Sequence, residues 1–422
     1  RFAAAPEPAL VEIATPAAAS SAAETTGRVT EFALPSASAA PSGIAAGADG
    51  NLWLAQTGAN KLARVAPSGE VTEFAFAGAS LPSAVAAGPD GNMWFAQRGA
   101  IGFITPAGAA TTYKVDGIIS SISPGPDGNL WFTENFRGKI GRATPAGQIT
   151  MFEIPTRPGG GSSNPHTVTA GPDGHLWFTE SNPLANKVGR ITTAGVITEF
   201  ALPTPGFPTG ITAGLDGNLW VLQSNRQRAE DRVVRVTPAG SMTEYTLPLP
   251  ISSLPSTIVS GPDGNLWLTR TNNPANKVAR MTPAGAVTDF PVPTAFSGPF
   301  GLAVGPDGNL WFTEKGKARI GRLQAAAPNV RYVLHLASGF VPGAMVVAQG
   351  QTVQWINQMP GMSSVRQAGN PPAFDSAPKG TGSTYAIRFA VAGTLAYADP
   401  AHPSHTGTVT VPMTVAPEGG TP

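Results

Sequence analysis

The chain alternates short apolar segments with turn residues, and one phrase recurs through most of its length. In one copy, T-V-T-A at 167–170 is followed by Asp173-Gly174 and then by L-W-F-T-E at 176–180. The tryptophans of this phrase are Trp53, Trp94, Trp131, Trp177, Trp220, Trp267 and Trp311. Each lies about 40 residues from the next, the period of a supersecondary repeat. Apolar runs of this length bounded by Gly, Pro and Asp read as strands. The Asp-Gly pairs (Asp49-Gly50, Asp90-Gly91, Asp127-Gly128, Asp173-Gly174, Asp216-Gly217, Asp263-Gly264 and Asp307-Gly308) predict tight hairpins, because both positions tolerate positive φ. The fourth repeat thus predicts strands at 167–170, 176–180, 187–192 and 197–202. Four-stranded units at this period predict a seven-bladed β-propeller over residues 28–323. After Arg322 the chain has no further T-E-F-type strand, but V-T-E-F-A-L at 29–34 is spare. It is expected to pair with the last blade as its outer strand, which removes the ring's free edges.

Composition narrows the function classes. The chain has 422 residues, too many for one ordinary domain. It carries 27 Lys and Arg against 26 Asp and Glu, with only 13% charged residues, so no nucleic-acid partner is expected. Its 50 Gly and 42 Pro recur at fixed spacings and read as turns rather than disorder. Cysteine is absent, which excludes disulfides and thiolate chemistry. No apolar run approaches the roughly twenty residues of a transmembrane helix, so no transmembrane segment is expected. The Ala/Pro/Ser-rich segment 1–27 is expected to be a mature N-terminus left after signal removal, which implies a secreted or periplasmic protein.

The units G-I-T-A-G-L-D-G-N-L-W at 210–220 and K-V-G-R-I-T at 187–192 resemble the repeats of the streptogramin lyase (virginiamycin B lyase) family. The resemblance spans all seven repeats and implies the propeller fold. It also implies a chemistry: opening of a cyclic depsipeptide by elimination, with a His base and a Mg²⁺ ion held by Glu residues. In the family, the base and a substrate-contacting residue are His residues that follow Pro at the start of first strands in late, adjacent blades. The matching positions here are Ser256 and Phe300. Neither side chain is a base at neutral pH. Pro165-His166 in the fourth blade is the one Pro-His pair of this kind. His166 begins a first strand and Glu180 ends the antiparallel second one, so both are expected at one end of the blade. Together they are the candidate catalytic pair, with a divalent cation between them; a solvated polar residue lining the channel is the plain alternative.

The residues that end the second strands are Gln56, Gln97, Glu134, Glu180, Gln223, Arg270 and Glu314. They are expected to ring the channel mouth on one rim. The long rim loops are 157–164, 181–186, 224–231 and 271–276, in blades 4 to 6. A ligand site is expected on that side of the rim. Its candidate residues are Arg226, Arg228 and Arg270, suited to an anion, with Glu134 and Glu314.

Beyond a linker at 324–330, residues 331–413 change character, and 414–422 read as a flexible tail. Strands are predicted at 330–336, 352–357, 387–390 and 407–411, in a small Greek-key β-sandwich. The runs F-V-P-G-A-M-V-V-A-Q-G-Q-T-V-Q-W-I-N at 340–357, F-D-S at 374–376 and L-A-Y-A-D-P-A-H-P-S-H-T-G-T-V-T-V at 395–411 resemble the cupredoxins, particularly the plastocyanin and amicyanin group. That resemblance implies a copper site of two His, one Cys and one Met. The matching positions hold Ser363, His402, Asp399 and His405, so the blue-copper thiolate is missing. Asp399, His402 and His405 share one short loop, with Met362 on an adjacent one, and remain candidate ligands for Cu or Zn. A metal-free sandwich is the alternative.

The expected fold class is therefore all-β, a propeller followed by a cupredoxin-like sandwich. Three functions stay open. One is an exported binding scaffold for a small molecule, a glycan or another envelope protein. The second is a lyase whose chemistry has moved to His166 and Glu180. The third is copper handling by the sandwich.

Overall fold

A strand of the L-W-F-T-E type buries both of its faces, so it must lie inside a sheet that is itself covered on each side. The computed structural model shows how this is met, and it describes residues 27–156, 158–225, 230–248, 255–271, 276–324, 330–336, 339–341, 344–347, 351–357, 364–367, 375–376, 384–389 and 393–411. Among the described residues, strands between Val29 and Leu323 form seven four-stranded antiparallel sheets. In blade 4 the strands are Pro165–Ala170, Leu176–Glu180, Lys187–Ile191 and Ile197–Ala201. All five residues of Leu176–Glu180 are buried. Each blade's core is shared with its neighbour: Trp131 of blade 3, for example, packs in one cluster with Leu176 and Phe178 of blade 4.

The tryptophan of every blade is fixed on two sides. Its Nε1 donates to the carboxylate of the preceding Asp-Gly pair at 2.9–3.2 Å. Its ring lies 5.2–6.1 Å from an aromatic ring of the outer strand, as in Trp177–Phe200. The hairpins differ from the sequence expectation in one respect. Only the glycine of each Asp-Gly pair has positive φ, between 71° and 78°. The turn in blade 4 runs from Gly171 to Gly174, whose N–H donates back to Gly171 O, and Gly171 N–H then donates to His175 O at 2.7 Å. The Asp keeps an ordinary conformation, with its carboxylate accepting from the tryptophan.

The ring closes as the sequence predicts. Val29–Ala33 is the outer strand of blade 7, pairing antiparallel with Arg319–Leu323 in the register Val29↔Leu323 to Ala33↔Arg319. Across this seam Thr313 Oγ1 donates to Ser42 O of blade 1 at 2.8 Å.

The C-terminal part forms two four-stranded sheets. One contains Val330–Leu336 and Thr352–Asn357 side by side and parallel, at the bounds expected from sequence. In this sheet Thr384–Arg388 stands where 387–390 was expected. The other sheet is centred on Gly393–Asp399 and His402–Val411. Val333, Val353, Trp355, Tyr397 and Val409 share one core. His402 and His405 thus lie on a strand that begins at a tight turn after Asp399, rather than in an open loop. Apart from one 3-10 turn, Pro158–Gly160, the described residues form no helix, and none is long and apolar enough to cross a membrane.

Candidate functional site

The inner strand of most blades starts with proline and then bulges. In blade 4 Pro165 pairs with Glu180 and Val168 with Phe178, so His166 and Thr167 together oppose one residue. The same irregularity follows Pro41, Pro208, Pro255 and Pro299. A bulge re-aims side chains at the rim of a sheet. Residues at these bulges bridge the inner strands: Ser42 Oγ donates to Ser83 O of blade 2 at 2.9 Å, and His166 Nδ1 lies 3.2 Å from Thr209 O of blade 5. A carbonyl only accepts, so Nδ1 carries the proton and Nε2 keeps its lone pair. Burial lowers the His166 pKa, against the weaker opposing pull of Thr209 O, so the ring is neutral at pH 7.

The seven residues expected at the channel mouth, which end the second strand in every blade but the fifth, where the strand runs on to Asn225, do not ring the channel. All are buried, Glu134, Glu180 and Glu314 completely. Alternation explains why: in L-W-F-T-E the Leu, Phe and Glu share a face, and that face packs on the neighbouring blade. Glu180 accordingly lies beside Glu199 of its own outer strand, whereas His166 Nδ1 turns to Thr209 O of blade 5, and no hydrogen bond or ion pair joins the two expected partners. Arg270 is spent inside the fold, its Nη1 on Asp289 of blade 6 at 3.0 Å and its Nη2 on Pro248 O of the link from blade 5 at 2.7 Å. It is not free to meet a ligand. Glu314 lies beside Glu31, and burial with that charge pushes its pKa up to about 7. Glu134 accepts the backbone N–H groups of Ile118, Phe136 and Arg137 at 3.3, 3.2 and 2.8 Å. Arg226 and Arg228 lie outside the described residues, as does Met362.

In the C-terminal part Asp399 is buried. Its Oδ1 accepts from Ser364 N and Ala401 N, and its Oδ2 lies 2.6 Å from His402 Nδ1. The His402 and His405 rings stack with centroids 5.2 Å apart. The carboxylate therefore orients a histidine and closes a turn. Among the described residues, no group of three or more His, Cys, Asp or Glu is arranged to hold a metal ion.

The rim itself carries apolar groups. Among the described residues the exposed large hydrophobics are Leu81, Ile118, Phe136, Leu184, Val196 and Phe296. All but Val196 sit in segments that link an outer strand to the next inner strand, or a second strand to a third. Antiparallel geometry puts both kinds of segment at one face of the ring.

A family model described as the virginiamycin B lyase family matches residues 13–205 and 119–361. The chain belongs to the virginiamycin B lyase family. A streptogramin B lyase structure is 31% identical and superposes with a TM-score of 0.63, covering 70% of this chain and 96% of that one. The virginiamycin B lyase of Staphylococcus aureus is 32% identical, with a TM-score of 0.63, over 70% of this chain and 99% of the other. The hydrazine synthase of Kuenenia stuttgartiensis, at 15% identity and a TM-score of 0.59 over 69% and 97% of the two chains, shares the fold. The chain gives no significant match among curated protein sequences.

Membership in the virginiamycin B lyase family makes the bulge positions informative. Phe300, at a position expected to hold a family histidine, lies under the Lys315 ammonium, 4.2 Å from the ring centroid. Ser256 occupies the other. An ammonium over an aromatic ring does not fit a site for a base and a divalent cation, and Glu314 is buried toward Glu31 rather than offered to it.

Proposed function

We propose that the protein is a binding module whose rim face holds a small peptide-like or otherwise amphiphilic molecule without cleaving it. The observation that carries this reading is the apolar surface that Ile118 and Phe136 expose together in one groove on that face, with Leu81, Leu184 and Phe296 standing at other points of the same face. The replacement of the family's base by Ser256 and by Phe300 under Lys315 favours binding over elimination. A catalytically inactive variant of the Staphylococcus aureus virginiamycin B lyase has been crystallised with quinupristin, which makes quinupristin the natural first probe. An exported setting belongs to the same proposal. Calorimetric titration with quinupristin, followed by mass spectrometry of the mixture, tests it. Binding with no linearised product is the expected result; linearised product, or no binding, overturns it.

His166 supports a second reading. It is a neutral imidazole whose Nδ1 is held by Thr209 O and whose Nε2 bears a lone pair, the form a general base requires. Under this reading linearised product forms with the parent chain and is lost in His166→Ala.

A further inference from the structure

The turn between the second and third strands is shortest in blade 2. Only Arg98 and Gly99 separate Met93–Gln97 from Ala100–Ile104. Four residues make the same turn in blade 3, between Leu130–Glu134 and Lys139–Ala143. The rim is thus notched at blade 2, and the taller blade 3 turn walls the notch. The result is a groove of about 520 Å³, within the usual size range for small-molecule sites.

The groove's lining has two kinds of group. Ile118 and Phe136 supply apolar surface, with Phe136 73% exposed. Arg98, Lys114 and Arg137 supply three positive charges at the groove surface against one negative charge there, Asp116, with the Glu134 carboxylate beneath them held by three backbone N–H groups. Asp116 neutralises them poorly. It lies 3.9 Å from both Lys114 Nζ and Arg137 Nη1, and all three side chains are more than half exposed. Exposed ion pairs of that kind are weak and yield readily to a competing anion.

The floor is fixed from below. The buried Glu134 carboxylate binds Ile118 N–H on one side of the groove and Phe136 and Arg137 N–H on the other, tying its two walls together. Gly117 lets the backbone come that close, with φ +130 and an added Cβ only 2.0 Å from Glu134 Oε1. Gly99 N–H donates to Gly117 O and Val115 N–H to Gly99 O, which pins the short turn to the same wall. Glu134 is therefore a positioning residue for the groove.

We propose that the groove between blades 2 and 3 binds a small amphiphilic anion, an aromatic or acyl body carrying one carboxylate-type head. The body would lie on Phe136 and Ile118, and the head would meet Arg98 and Arg137. This rests on the rim-binding reading and specifies where on the rim it applies and what chemistry it selects.

Fluorescence titration of the full chain with 2-naphthoate tests it, beside the neutral 2-naphthalenemethanol as control. The expected result is saturable binding of the naphthoate, at least tenfold tighter than the alcohol. Phe136→Ala and Arg98→Glu should each weaken it by about tenfold with the melting temperature unchanged, since both side chains are exposed. Raising salt should weaken it further. Equal affinity for the alcohol, no naphthoate binding, or binding unaffected by both substitutions overturns the proposal. Quinupristin binding that persists unchanged in both variants while naphthoate fails leaves the rim reading standing and removes this groove from it.

Discussion

Glu180 is buried beside Glu199 in blade 4, acid against acid, with Lys187 Nζ 3.7 Å from Glu199. Blades 1 and 6 fill the same position differently: Gln56 Nε2 donates to Glu73 at 2.9 Å, and Arg270 pairs with Asp289. Burial, and then the charge of Glu199, push the Glu180 pKa up to about 8. Glu314 beside Glu31 reaches about 7. Between the unfolded pKa near 4.5 and these values the folded chain holds more protons than the unfolded one, so stability falls as pH rises. The contribution is complete below about pH 4.5 and is lost by about pH 8. Melting temperature measured from pH 4.5 to 9 should show this decline. Glu180→Gln should flatten it, raising the midpoint at pH 9 by several degrees and changing it little at pH 4.5.

The clasp strand should matter as much as any internal strand. Phe32 stacks on Trp311 with centroids 5.4 Å apart, and the Arg322 guanidinium lies 5.5 Å from each ring. Phe32→Ala is expected to cost about 3 kcal/mol in a denaturant melt. Removing 29–33 altogether should bare the edge at Arg319–Leu323 and produce oligomers in size-exclusion chromatography.

Arg270 reads from sequence as an anion-binding residue, but its two bonds to Asp289 and Pro248 O make it structural. Arg270→Ala should destabilise the chain by about 3 kcal/mol. At a temperature where the variant is folded, its affinity for quinupristin should match the parent's in the same titration.

Gly171 leaves no room for a side chain, because an added Cβ would lie 2.4 Å from Trp177 Cδ1. Gly171→Ala should therefore displace the tryptophan and cost about 2 kcal/mol. A red shift of tryptophan emission together with a lower melting temperature would report it.

The blade count, the clasp, and the strands Val330–Leu336 and Thr352–Asn357 were legible in the sequence, because period and turn residues are local signals. The rim ring was misplaced although the signal was present. Period-2 alternation puts Glu134, Glu180 and Glu314 on the face of Phe132, Phe178 and Phe312, and so between blades. The bulge that aims His166 left no mark, since it depends on Pro165 pairing with Glu180 across the hairpin. The notch at blade 2 was visible as a two-residue shortening, A-Q-R-G-A against T-E-N-F-R-G-K, but it becomes a groove only when Phe136 and Arg137 rise beside it.

The pairing of Val29 with Leu323 also orders the chain's assembly in time. These partners are 294 positions apart (323 − 29), so the first strand has no sheet to join until the whole ring has been made. At roughly 5–20 residues per second of synthesis, it waits on the order of 15–60 s. The other six blades pair only strands near in sequence and can form those sheets as they emerge, and blade 1 completes its core against Ala303, Trp311 and Ile320 of blade 7 at closure. Closing the ring is then a single late, long-range search, the slow kind of contact. An unpaired VTEFA strand in the nascent chain is the feature a chaperone would have to shield.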